Sequence, residues 1–288
     1  MNSVLLQCNT IDELRAAINP LRREGKRIGF VPTMGYLHAG HASLVRKAAE
    51  ECDVVVMSIF VNPLQFGPTE DFSRYPRDLE RDRSIAAEAG VSILFTPSVE
   101  EMYPGTMHTT VSVSGLTAPL CGKSRPGHFD GVATVVSKLF HIVNPDAAYF
   151  GEKDAQQLAV IEQMVKDLSF PVDIRPCPIM READGLAMSS RNVYLSEEER
   201  KQALVLSRSL NWARERVLQG ESDPSVLGQG IVERISAMPL ADIDYVEILS
   251  YPALEEITEL TKGERFCMAL AVKFGKTRLL DNVIMTTP

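Results

Sequence analysis

Residues 54–61 read VVVMSIFV, an uncharged run in which Ser58 is the one polar side chain. A membrane-spanning helix needs roughly 20 apolar residues, so this run is far too short to be one. It suits a central β-strand covered on both faces, which is characteristic of parallel sheets. Further strands are predicted at 27–32, 91–95, 147–150 and 172–176, and at the Thr/Val-rich segment 109–113. Between them, 42–51, 76–89, 131–143 and 155–168 carry apolar residues three and four apart, as helices with one buried face do. The alternation predicts a doubly wound parallel α/β sheet. After Pro178 the rhythm becomes two helical stretches, 196–219 and 224–237, and then strands at 243–249, 266–274 and 278–285 with no helices between them. A smaller C-terminal α+β domain with an antiparallel sheet is expected, which divides the chain into 1–179 and 180–288. Ser196 and Glu199 form a capping-box pattern that starts its first helix.

The 38 acidic and 30 basic residues among 288 leave a formal charge of −8, with no global positive field to recruit nucleic acid. Cys8, Cys52, Cys121, Cys177 and Cys267 lie far apart and form no C-x-x-C pair, so neither a disulfide framework nor a zinc knuckle is expected. The opening MNSVLLQCNTIDELR lacks a basic n-region and its apolar run is soon broken, so it does not read as a signal peptide. The expectation is a reduced, cytoplasmic protein without a membrane partner.

The densest chemical signal is VPTMGYLHAGHASLV, residues 31–45, where the first predicted strand passes into the first predicted helix. Ligands of doubly wound sheets bind at such strand ends. Two imidazoles three apart, His38 and His41, would stand beside the unpaired N–H groups of a helix N-terminus, an arrangement suited to phosphate. The same pattern also describes two surface histidines capping a helix, or half of a metal site. Gly122-Lys123-Ser124 resembles the end of a phosphate loop, but Thr117 stands where its first glycine should be, and no G-x-G-x-x-G occurs.

Two further clusters sit at strand ends or near the domain junction. YFGEKDAQQL offers Lys153 as a point charge for polyphosphate and Asp154 as a carboxylate, or merely a polar turn into a helix. IMREADGLAMSSRNVYLS offers Ser189, Ser190 and Arg191 together, a clamp for departing pyrophosphate only if other phosphate-binding groups accompany it. In the Pro- and Gly-rich loop after the central strand, Asn62 and Gln65 can donate and accept to a small substrate, or serve turn chemistry. Arg125 and His128 of SRPGHFDG either line a pocket or delay a helix start. The charged stretch 77–83 reads as a solvated helix face.

Together PTMGYLHAGH, SIFVNPLQF, RYPRDLERD, SRPGHFDG, FGEKDAQQL, MREADGLAMSSRN and RLLDN closely resemble the pantoate–β-alanine ligase family, essentially end to end. The H-x-G-H and M-S-S-R elements also resemble signatures of a wider nucleotidyltransferase superfamily. The resemblance implies a Rossmann-like nucleotide- and pantoate-binding domain and a C-terminal lid domain. It implies condensation of (R)-pantoate with β-alanine, driven by ATP with Mg²⁺, through a pantoyl adenylate, by a homodimer. It implies that Met34, Gly35, Tyr36, Leu37, His38, Ala39, Gly40 and His41 bind ATP, with His41 as proton donor. Gly151, Glu152, Lys153 and Asp154 match the family's nucleotide turn, Met180 an adenine contact, and Met188, Ser189, Ser190 and Arg191 its phosphate loop. Gln65 and Gln157 match the substrate-binding glutamines, and Asn62 is carried over with them. The Mg²⁺ ligands are not identified. Many relatives have an acidic residue where this chain has Ala39; phosphate binding does not require it. A nucleotidyltransferase acting on a phosphate ester would share H-x-G-H but not the two glutamines, and a non-catalytic nucleotide-binding module would need no second phosphate clamp.

Overall fold

The computed structural model describes residues 5–68, 70 and 72–288. Met1–Val4, part of the signal-peptide reading, and Thr69 and Asp71 of the loop lie outside the described residues. In chain order the elements are β1 (Leu6–Cys8), α1 (Ile11–Arg23), β2 (Ile28–Thr33), α2 (Ala39–Glu51), β3 (Val54–Ile59), α3 (Leu79–Ala89), β4 (Ile93–Phe95), α4 (Val99–Met102) and α5 (Leu120–Ser124). There follow α6 (His128–Val143), β5 (Ala147–Gly151), α7 (Ala155–Asp167), β6 (Asp173–Cys177), α8 (Glu197–Ala203), α9 (Val205–Leu218), α10 (Pro224–Ser236), β7 (Ala241–Ser250), β8 (Arg265–Phe274) and β9 (Thr277–Thr286). The chain divides into two compact units, 1–113 with 125–151 and 160–177, and 114–124 with 152–159 and 178–288.

The first unit holds a parallel sheet of order β1-β4-β3-β2-β5-β6. Chain direction across the sheet reverses between β2 and β5, so the switch point lies beyond Thr33 and Gly151. Side chains alternate across the strands: Val31, Val55 and Met57 pack with Leu44, Val45 and Ala48 of α2. On the other face Phe30 and Phe150 meet Phe140 of α6 edge-on, at 6.5 and 6.4 Å between centroids. Both faces are therefore covered, as the VVVMSIFV run requires.

The second unit carries an antiparallel sheet, β7-β8-β9, in which β9 pairs with β8 from Thr277 to Thr286. Its core joins Leu206, Leu210, Leu227 and Ile231 of the helices to Phe266, Met268 and Leu270 of β8. The predicted capping box is present, with Ser196 accepting from Glu199 N–H and Glu199 from Ser196 N–H.

Local differences from the sequence reading have physical causes. The Thr/Val-rich segment 109–113 forms no strand; the Val111 N–H and C=O are bonded by one side chain, Thr134 Oγ1, at 2.9 and 3.4 Å. The stretch 196–219 is interrupted at Leu204, giving α8 and α9. Helix α3 starts after Asp78, whose carboxylate caps Arg81 N–H, and not at Pro76. The sequence reading missed β1, three residues long, and α1, whose Thr10–Glu13 capping box was legible.

Candidate functional site

The segment Thr33 to His41 turns sharply because two residues adopt left-handed backbone: Gly35 at φ 84° and Tyr36 at φ 48°. A side chain at Gly35 would put Cβ 2.9 Å from Ile59 Cγ2 and 3.0 Å from Asp82 Oδ2, so only glycine fits. The strained Tyr36 is held from α3. Asp82, 1% exposed, accepts from Tyr36 N–H at 2.7 Å and Leu37 N–H at 2.6 Å. Arg81 lies 4.8 Å over the Tyr36 ring and 3.6 Å from Asp82. Burial pushes the Asp82 carboxyl above its usual range, against the opposing pull of the two N–H bonds and Arg81. The expected solvated face at 77–83 is thus corrected at Asp82, which faces inward to brace the turn.

His38 is the N-cap of α2: its Nδ1 accepts from Gly40 N–H at 3.1 Å, while His41 Nδ1 accepts from His38 N–H at 3.2 Å. A backbone N–H can only donate, so both Nδ1 atoms are unprotonated and in each neutral ring the proton sits on Nε2. The rings lie 4.0 Å apart, centroid to centroid, at the positive end of the helix.

Asn62 and Gln65 lie on the first turn of the loop after β3. Asn62, 1% exposed, accepts at Oδ1 from Leu64 N–H and Tyr103 O–H, at 3.3 and 2.8 Å. Its Nδ2 donates to Gly131 C=O and Gln65 Oε1, both at 3.1 Å. Leu64 N–H and Gly131 C=O leave no choice of amide orientation for Asn62, and Asn62 in turn orients Gln65. Gln65 therefore turns its Nε2 donor away from Asn62 and toward Met34 Sδ, 3.2 Å away. The Gln65 carbonyl is clamped by His128 Nδ1 at 2.8 Å and Arg125 at 3.3 Å, and Arg125 makes a two-pronged pair with Glu70. Burial raises the Glu70 pKa, but Arg125 and His128 outweigh it and hold the carboxyl below its ordinary value.

In the second unit, Glu152, Lys153 and Asp154 form a 3-10 turn, with Lys153 Nζ 3.9 Å from Asp154 and its side chain 18% exposed. Gln157 is half-buried on the first turn of α7, while its neighbour Gln156 is buried and braces Cys121 N–H and the carbonyls of Leu116 and Pro119. Residues 181–187 form a tight hairpin around Asp184-Gly185. It is closed by Met188 N–H on Met180 C=O at 2.9 Å. Asn192 Nδ2 ties Ala187 C=O to Glu182, and Ser189 Oγ caps Arg191 N–H at 3.2 Å; Ser190 is buried. Among the described residues, no three His, Cys, Asp or Glu side chains are grouped to hold a metal ion, and no helix is long and apolar enough to cross a membrane.

The predicted residues thus fall into local groups. His38 with His41, and Met34 with Gln65 and Asn62, come together in the first unit; Lys153 with Asp154, and Met180 with Met188–Arg191, come together in the second. Sequence reasoning gives no supporting role to Asp82, Tyr103, Gln156, Arg181, Asp281 or Asn282, although all but Tyr103 lie in the quoted motifs RYPRDLERD, FGEKDAQQL, MREADGLAMSSRN and RLLDN.

A six-stranded parallel sheet with a histidine-capped helix at its switch point defines a doubly wound α/β protein with a ligand-binding strand edge. A family model described as pantoate-beta-alanine ligase matches residues 6–284, and the chain belongs to this family. It is 59% identical over 281 residues to the pantothenate synthetase of Pelotomaculum thermopropionicum, covering 98% of this chain and 99% of that one. Its fold is similar to the crystal structure of pantothenate synthetase from Thermus thermophilus, with TM-score 0.91 and 52% identity over 97% of this chain and 99% of that one. It is also similar to pantoate-beta-alanine ligase from Francisella tularensis complexed with beta-gamma ATP and beta-alanine, with TM-score 0.79 and 36% identity over 98% of both chains.

Proposed function

We propose that the chain condenses (R)-pantoate with β-alanine at the expense of ATP, giving pantothenate, AMP and pyrophosphate. The observation that carries this reading is the imidazole pair, whose Nδ1 atoms both accept from backbone and so leave the ring protons on Nε2. Family membership over residues 6–284 supplies the substrates.

In the first step a pantoate carboxylate oxygen attacks the α-phosphorus of ATP in line, and the bond to the β-phosphate oxygen breaks. No protein nucleophile is needed, so catalysis is positioning and charge neutralisation. Met34 to His41 and Gly151 to Asp154 bind the nucleotide, with Met180 at adenine. His38 and His41 donate hydrogen bonds from Nε2 to phosphate oxygens, the neutral His41 ring sharing its proton without transferring it, and Lys153, Ser189, Ser190 and Arg191 take the charge of the leaving pyrophosphate. Gln65 Nε2 and Gln157 hold pantoate oxygens, and Asn62, its four hydrogen bonds made within the protein, serves the substrate through Gln65. In the second step the neutral β-alanine amine attacks the acyl carbon: the N–C bond forms, the acyl C–O bond to AMP breaks with its electron pair, and the proton lost from nitrogen is released to solvent.

Mg²⁺ enters as part of the substrate, held by phosphate oxygens and water with at most one or two protein carboxylates. It neutralises charge on the triphosphate. Residues 1–179 bind nucleotide and pantoate, and 180–288 supply the phosphate loop that shields the adenylate from water. The enzyme acts as a cytoplasmic homodimer, which sizing chromatography and fractionation test.

Pyrophosphate exchange into ATP with purified protein and Mg²⁺, β-alanine omitted, tests the reaction. Exchange that depends on (R)-pantoate is expected. Exchange that ignores pantoate but follows a phosphate ester such as phosphopantetheine would replace this reading with the phosphate-acceptor one.

A further inference from the structure

RLLDN, Arg278–Asn282, has no part in the chemistry above, yet Asp281 and Asn282 are 2% and 3% exposed. Buried polar side chains cost free energy unless they are bonded, and the β-ladder of β9 uses only backbone, so their partners matter. Asp281 takes the Arg181 guanidinium in two prongs, at 2.7 and 2.9 Å, and accepts Asn282 N–H at 2.8 Å. Arg181 also donates to Gly185 C=O at 3.2 Å, closing the hairpin that leads into Met188–Arg191. Asn282 Nδ2 donates to two consecutive carbonyls, Glu152 at 2.9 Å and Lys153 at 2.8 Å. Adjacent residues of one strand, paired along its length with β8, thus hold the roots of two segments that have no ladder of their own.

We propose that Asp281 and Asn282 are positioning residues for adenylation, setting Lys153 against the Ser189–Arg191 loop so that both engage one triphosphate. This rests on the roles given to those residues under the proposed function. Both groups stand on short 3-10 turns outside the sheets, Glu152–Asp154 and Ser190–Tyr194, and small misplacements of charge-neutralising groups cost rate steeply. Neither Asp281 nor Asn282 touches substrate; each acts through a backbone or a guanidinium.

The test separates the two half-reactions. In Asn282→Ala and Asp281→Asn, pantoate-dependent pyrophosphate exchange should fall by about tenfold or more, while conversion of synthetic pantoyl adenylate and β-alanine to pantothenate stays within about twofold. In a Lys153→Ala background, the further effect of Asn282→Ala on exchange should shrink to within about twofold, because residues acting through one another do not add. Parallel loss of both half-reactions, or full additivity with Lys153→Ala, would mean a general packing role and overturn the proposal. Unchanged exchange in both variants would overturn it too. Wild-type protein without pantoate-dependent exchange would instead sink the underlying reading. Should Asn282→Ala fail to fold, Asn282→Asp, which has the same shape but no N–H to give the Glu152 and Lys153 carbonyls, is judged by the same outcomes.

Discussion

At the scale of single residues, the amide of Gln65 is oriented by atoms that cannot change role: Leu64 N–H and Gly131 C=O set Asn62, and Asn62 Nδ2 takes Gln65 Oε1. Gln65→Glu keeps an acceptor toward Asn62 but replaces the Nε2 donor beside Met34 with a negative charge, which under the proposed function would face the pantoate carboxylate. Steady-state kinetics should show the KM for pantoate raised roughly 10–100-fold, the worth of a charge-assisted hydrogen bond, with the KM for ATP little changed. Asp82→Ala leaves the buried Leu37 N–H and the half-buried Tyr36 N–H without their acceptor. Urea denaturation should register a loss of about 2–3 kcal/mol, and adenylation should fall because the turn leading to His38 relaxes. His41→Ala should lower pyrophosphate exchange by about 10²-fold or more with the fold intact by circular dichroism.

At the scale of elements, the approach of α6 to the loop after β3 depends on one missing methyl. A Cβ at Gly131 would lie 2.3 Å from Leu64 O and 2.7 Å from Gln65 N, both backbone atoms that cannot swing aside. Glycine to alanine in a helix ordinarily gains about 1 kcal/mol. Here the sign should reverse: Gly131→Ala is expected to lose about 1–3 kcal/mol, read by thermal melting, and to weaken pantoate binding by displacing Gln65. The same element shows where sequence reading stops. The apolar spacing that marked 131–143 as a helix said nothing of Arg125 and His128 reaching back to the Gln65 carbonyl, since that contact joins residues about sixty apart in the chain. Segment 109–113 failed in the opposite way: β-branched residues were present, but its Val111 backbone groups found Thr134 and not a neighbouring strand.

At the scale of the whole molecule, acid stability follows from carboxylates held below their ordinary values. Burial raises Glu182 and Asp184, but Arg200, which pairs with both, together with Asn192 at Glu182 and the Leu186 N–H at Asp184, carries each net value downward; Glu70 against Arg125 behaves alike. An acid whose folded value is depressed takes up its proton first in the unfolded chain. Its contribution is therefore present above the ordinary carboxylate value and lost as pH falls through the folded one. Asp82 and Glu247, raised by burial, act with the opposite sign. Melting temperature should fall between roughly pH 5 and 3, and the fall should be shallower in Glu182→Gln, whose amide does not titrate in that window.

Periodicity and caps are local, and so the parallel sheet, the antiparallel C-terminal sheet and the Ser196 cap could be read from the chain, because the residues that decide them lie within a turn or a strand of one another. Motif composition likewise made H-x-G-H, GEKD and MSSR legible as candidates. What only tertiary structure decided is which polar residues support them. Asp82 reads as one more charge on a helix, Tyr103 as an aromatic before a proline, and Asp281 and Asn282 as polar interruptions of a strand. Their roles come from burial and from partners far away in the chain. A buried polar group must find a partner, and the fold alone determines which one it meets.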